Sequence, residues 1–109
     1  MRSKPVTPNN AIEEFQAHLQ AALGSRLKEL WLFGSRARGD HRLDSDYDFR
    51  VVADGDRTEL RKLVAAAENE IMLKSGEIFA SVVYTTDLWR QARYAPLGIN
   101  VQREGRRIA

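Results

Sequence analysis

Gly34-Ser35-Arg36-Ala37-Arg38-Gly39-Asp40, with Asp44-Ser45-Asp46-Tyr47-Asp48 close behind, is the stretch on which the reading of this chain turns. A Gly-Ser pair stands ten residues ahead of an Asp-x-Asp pair, and an apolar run flanks each side. Gly-Ser at the end of a strand offers backbone N–H groups and a hydroxyl to a phosphate. Asp-x-Asp on a strand turns both carboxylates to one face, because side chains alternate with a period of two. Their carboxylates then lie roughly 7 Å apart along the strand. Like charges placed side by side need a cation or a shared proton to relieve them. A hard dication such as Mg²⁺ suits that need, since it takes oxygen ligands and completes its shell from substrate phosphates.

Outward from this stretch the pattern is that of a small α/β domain. Upstream, Asn10 is placed to cap a helix in which Ile12, Phe15, Leu19, Ala22 and Leu23 recur at helical spacing, with Gly24 at its end. Leu27 to Phe33 is short, aromatic-rich and halted by glycine, and reads as a buried strand. A short helical turn is expected from Ser35 to Arg38, then a polar loop from Gly39 to Ser45. Tyr47 to Ala53 is the second strand, closed by the turn signal Asp54-Gly55-Asp56. Leu60, Leu63, Val64, Ala67, Ile71 and Met72 trace one stripe of a helix that Thr58 would cap and Gly76 would end. Ile78 to Thr85 is a third strand, and Thr86 would cap a short helix carrying Leu88 and Trp89. Beyond the break at Ala95-Pro96-Leu97-Gly98, a helical piece from Ile99 to Glu104 is expected, and then a short edge strand or a frayed end from Arg107 to Ala109. The fold class is therefore α/β (α+β), a small mixed sheet with helices packed mainly on one face.

At 109 residues the chain makes one domain. We divide it into a flexible N-terminal arm, residues 1–9, and a domain over residues 10–109. No apolar run is long enough to span a bilayer, and no N-terminal segment reads as a signal peptide. Cysteine is absent, which excludes disulfides and thiolate metal sites and fits a reducing, cytoplasmic compartment. The net charge of +2 is too small to argue for nucleic acid. Arg90, Arg93, Arg103, Arg106 and Arg107 crowd the end of the chain against Glu104 alone; they read as a solvated helical surface, or else as a basic rim facing polyphosphate or an acidic partner.

The candidate site consists of Gly34, Ser35, Arg36 and Arg38 for nucleotide phosphates, and of Asp46 and Asp48 for metal and catalysis. Gly34 permits close approach of the backbone, and Ser35 offers its amide and hydroxyl. In a helical turn Arg36 and Arg38 diverge, so one of them would face the site. Tyr47, lying between the two acids, points to the opposite face and the core. His18 reads as a helix-surface residue and His41 as a loop residue, too poorly accompanied for zinc.

Leu32 to Val52 resembles the signature of the polymerase-beta-like nucleotidyltransferase superfamily, in particular its minimal nucleotidyltransferases: Gly-Ser, ten intervening residues, Asp-x-Asp, with Ala-Arg-Gly-Asp and Ser-Asp-Tyr-Asp wording. The resemblance implies a small mixed sheet with flanking helices. It implies that Gly34 and Ser35 hold the nucleotide phosphates and that Asp46 and Asp48 bind two Mg²⁺ ions during attack on the α-phosphate of a nucleoside triphosphate. Small members are frequently antitoxins of all-helical HEPN ribonuclease toxins, which implies transfer of AMP from ATP to a tyrosine of such a partner, with no nucleic acid or membrane involved and a homo- or hetero-oligomer compatible. The superfamily also takes a third acid from the next strand. In Glu77-Ile78-Phe79-Ala80-Ser81-Val82-Val83-Tyr84 the aligned position falls at or near Ser81; Glu77 comes too early and Asp87 too late. Either another group replaces that acid or activity is reduced or lost, and a binding-only antitoxin is the alternative. An enzyme resembling the aminoglycoside-modifying nucleotidyltransferases ranks third, since an acceptor-binding domain is missing from this length.

Overall fold

The computed structural model describes residue 6 and residues 10–34, 46–92 and 105–109. Helix α1 spans Ala11–Leu23, a 3-10 turn spans Gly24–Arg26, and strands β1 (Leu27–Phe33) and β2 (Tyr47–Ala53) follow. Helix α2 (Arg57–Ser75), strand β3 (Phe79–Thr85), helix α3 (Thr86–Ala92) and the two-residue strand β4 (Arg106–Arg107) complete the described elements. The sheet order is β3-β2-β1-β4, with β2 antiparallel to β1, β1 antiparallel to β4, and β3 parallel to β2. The parallel pair is joined through α2, as a parallel connection requires. This is the mixed sheet that the spacing predicts.

In α1 the residues Ala11, Phe15, Leu19 and Leu23 are buried, a strict i, i+4 stripe. Ala22, expected on that stripe, is exposed, because a row repeating every four residues turns its neighbours away. Gly24 ends the helix at φ +57° and donates its N–H to the Gln20 carbonyl. Helix α2 begins at Asp56, whose carboxylate accepts from the Glu59 N–H at 3.0 Å. That corrects the cap from Thr58 to Asp56: a residue with extended backbone and a side-chain acceptor facing the orphan N–H groups was already supplied by the turn. Gly76, at φ +75°, closes α2 as expected. At α3 the capping hydroxyl is that of Thr85, accepting from Leu88 N at 3.3 Å, while Thr86 is already helical and donates to Asp54.

Both long helices lie on one face of the sheet, over Leu30, Leu32, Tyr47, Phe49, Val51 and Val83. Phe15 of α1 meets Phe49 and Phe79 at ring-centroid distances of 4.8 and 5.2 Å, and Tyr47 meets Phe79 at 5.1 Å. Tyr47 thus points to the core, as its parity requires. His18 clasps the two helices: its Nδ1 lies 2.8 Å from the Glu14 carbonyl and its Nε2 3.2 Å from Glu70 of α2. The other face of the sheet carries α3, where buried Trp89 packs against Tyr84 and Trp31. At the chain end, β4 pairs with β1, and Ile108 N donates to the Leu30 carbonyl at 2.7 Å. Arg106 and Arg107 therefore sit exposed on an edge strand and not on a helical surface; Arg93 and Arg103 lie outside the described residues, as does the expected helical piece at 99–104. Val6, in the arm, packs against the core cluster. No helix among the described residues is long and apolar enough to cross a membrane.

Candidate active site

The alternation of β2 divides its residues between two environments. Tyr47, Phe49 and Val51 enter the core, while Asp48 and Arg50 emerge on the face opposite α1 and α2. Asp46 is exposed and lies one residue before β2. Asp48 is half-buried and pairs across the sheet with Phe33, the last residue of β1. Gly34 comes next in the chain, and here the backbone turns at φ +81°. A Cβ on Gly34 would sit 2.9 Å from Oδ2 of Asp48. The carboxylate therefore occupies the room that a side chain at 34 would need. Gly34 and Asp48 are brought together; Ser35, Arg36 and Arg38 fall outside the described residues.

Gly34→Ala tests that packing. It is expected to cost about 1–2 kcal/mol from the positive φ and, further, to push the Asp48 carboxylate aside. Gly24→Ala is the control, since its Cβ would meet nothing within 4 Å at φ +57°. Chemical denaturation should show similar backbone costs in both, with loss of catalytic function confined to Gly34→Ala.

The register of β3 narrows the place of the third acid, expected at or near Ser81, to the residue before it. Asp48 pairs with Ala80, and Ser81 pairs with Phe49. Paired residues on neighbouring strands share a face, so Ser81 faces the helices. Its hydroxyl looks into a groove of about 390 Å³ lined by Thr58, Arg61, Lys62 and Glu68 of α2. Burial raises the Glu68 carboxyl above its ordinary range, and the Ser81 hydroxyl partly opposes that shift. The residue standing beside Asp48 is Ala80, which is exposed and carries no ligand. Among the described residues no group of three or more acidic, histidine or cysteine side chains is placed to hold a metal ion. Two carboxylates at the open end of β2, with a glycine giving access, fit a dication that takes its remaining ligands from phosphate and water.

Arg50 was not among the residues singled out from the sequence, although Asp46-x-Asp48-x-Arg50 carries it on the same parity. Its direct cross-strand partner is Trp31. Yet its guanidinium lies over the ring of Phe33, the cross-strand partner of Asp48 two residues further along β1, 3.8 Å from the centroid. Burial lowers its pKa, and the Tyr84 hydroxyl and the Asp48 carboxylate act in the opposite direction. Guanidinium remains charged across any working pH.

An Asp-x-Asp at the start of an inner strand beside a positive-φ glycine, on four mixed strands backed by two helices, is the arrangement expected of a nucleotidyltransferase. Residues 11–102 match the family model described as a nucleotidyltransferase domain, and the chain belongs to that family and is a nucleotidyltransferase by class. It is 33% identical over 96 residues to a Methanocaldococcus jannaschii protein named as a putative protein adenylyltransferase, covering 88% of this chain and 92% of the relative. Two crystal structures share its fold. One is a toxin–antitoxin with AMP-PNP, at TM-score 0.51 and 24% identity, covering 89% of this chain and 72% of that one. The other is a mutant of the toxin–antitoxin MntA-HpeT, at TM-score 0.52 and 20% identity, covering 89% of this chain and 71% of that one.

Proposed function

We propose that this chain transfers AMP from ATP, with Mg²⁺, to a hydroxyl of a protein partner, specifically a tyrosine of a HEPN-type toxin that it restrains as an antitoxin. The observation that carries the reading is the seating of the Asp48 carboxylate against Gly34, at the end of β1 where the Gly-Ser motif begins. The relative named as a putative protein adenylyltransferase supports adenylyl transfer to protein. The toxin–antitoxin neighbours share this fold and are consistent with the antitoxin setting.

Asp46 and Asp48 are the residues that would hold the metal. When bound, Mg²⁺ neutralises charge on the phosphates and lowers the pKa of an oxygen nucleophile beside it. The chain's own part is positional. Gly34 keeps the backbone close to the phosphate chain, and Ser35 contributes an amide and a hydroxyl. Arg36 or Arg38 holds the departing pyrophosphate. The nucleophile arrives on the partner macromolecule, as the relative named as a putative protein adenylyltransferase supports.

A second reading, a catalytically weak antitoxin that acts by binding, is favoured by one observation: Ala80 stands where a third carboxylate would lie beside Asp48. One experiment separates the two. A co-expressed helical partner is incubated with this protein, ATP and Mg²⁺, and its intact mass is measured. We expect a gain of one or more AMP units, lost with the double variant Asp46→Asn, Asp48→Asn. A partner that co-purifies but never gains mass would sink transfer and leave the binding reading.

A further inference from the structure

We propose that Arg50 is a phosphate ligand of this site, contacting the phosphate chain of the nucleotide beside the metal that Asp48 would hold. The inference rests on the nucleotidyltransferase reading and assigns a residue outside the Gly-Ser and Asp-x-Asp motifs. The geometry begins with β2, where Asp48 and Arg50 share one face. The arginine then leans toward the acid: its guanidinium lies over Phe33, the cross-strand partner of Asp48, and not over its own partner Trp31. Ring stacking fixes the plane of the guanidinium and leaves its edge for a ligand. Nη1 donates to the Phe49 carbonyl at 3.1 Å, and Tyr84 also engages the group, which occupies part of a five-donor fork.

Asp48 and Arg50 are neighbours on one face of β2, yet among the described residues they form no direct ion pair. A carboxylate and a guanidinium held side by side but apart present a negative and a positive point to the same space. A metal–phosphate pair presents the opposite order. The cation meets Asp48 and the phosphate meets Arg50, each by a charge-assisted contact. On the β3 side, Ala80 and Val82 stand next to them and bring no competing acid.

The role is tested with the whole protein by two separate titrations on Arg50→Met, a variant that keeps packing length over Phe33. Affinity for AMP-PNP with Mg²⁺ should fall about 10- to 100-fold, as loss of a charged hydrogen bond implies. Affinity for Mn²⁺ alone should hold or rise, because a nearby positive charge has been removed. Arg50→Lys, keeping charge but losing the planar fork, should recover part of the nucleotide affinity. A purely structural arginine would move the melting temperature and leave both titrations alone. If Arg50→Met does not fold, Arg50→Gln replaces it with the same expectations. A folded variant that binds AMP-PNP as wild type does overturns the assignment of Arg50 while the transferase reading stands. Wild-type protein that fails to bind AMP-PNP overturns both.

Discussion

Asp48→Asn is expected to lower AMP transfer by on the order of 10³-fold while leaving the fold intact. The exchange is close to isosteric, and the side chain is only half-buried, so the space against Gly34 remains filled. What disappears is the negative charge at the one position that both the sheet register and the β1 terminus converge upon. Mn²⁺ affinity should fall with it. Nucleotide binding in the absence of metal should persist or strengthen, since one like charge has been taken away from the phosphates. Single-turnover mass measurements on the partner, with circular dichroism as the fold control, check this outcome. Transfer at wild-type rate by a folded Asp48→Asn protein would remove the carboxylate from the chemistry altogether. Asp46→Asn is expected to show a smaller loss, because Asp46 is exposed and lies outside the strand.

Phe49→Ala should cost about 3–5 kcal/mol of stability. Phe49 is fully buried on β2 and meets Phe15 at 4.8 Å and Phe79 at 5.2 Å, so truncation opens a cavity among rings supplied by α1, β2 and β3. Domains of this size have about 5–15 kcal/mol in total. The variant is therefore expected to unfold at markedly lower urea, with Phe49→Leu falling between it and the wild type. A midpoint unchanged in Phe49→Ala would mean that the aromatic cluster does not hold the helices to the sheet.

Strands β1 and β2 span the residues that their apolar runs predict, Leu27 to Phe33 and Tyr47 to Ala53, because each run is bounded by a strong break: glycine on one side and Asp-Gly on the other. The α2 cap falls at Asp56 and not at Thr58 for a local reason: a single residue serves both turn and cap when its backbone is extended. The place beside Asp48, expected at or near Ser81, falls at Ala80 for a deeper one. A strand's own sequence shows which residues alternate, but not how it is aligned with its neighbour, and a shift of one residue exchanges faces. The pairing of Asp48 with Ala80 exists only in the folded sheet. Arg50 shows both limits: its parity is visible in the sequence, while its lean toward Phe33 depends on a ring from another strand. Ser35, Arg36 and Arg38 remain proposals on the motif alone.

The interleaving on β2 ties foldedness to activity. Because Tyr47 and Phe49 are core while Asp48 and Arg50 are site, no one-residue slip of this strand leaves a partial version of the catalytic surface. A one-residue error would bury a carboxylate among phenyl rings and expose phenyl rings to water, which costs too much to persist. Damaged or immature molecules should thus be silent and not sloppy: a population losing its native fold loses active copies one by one, while each survivor keeps its full selectivity. Under the proposed transfer of AMP to a partner, that makes loss of dose, and not mistaken marking, the way in which the protein fails.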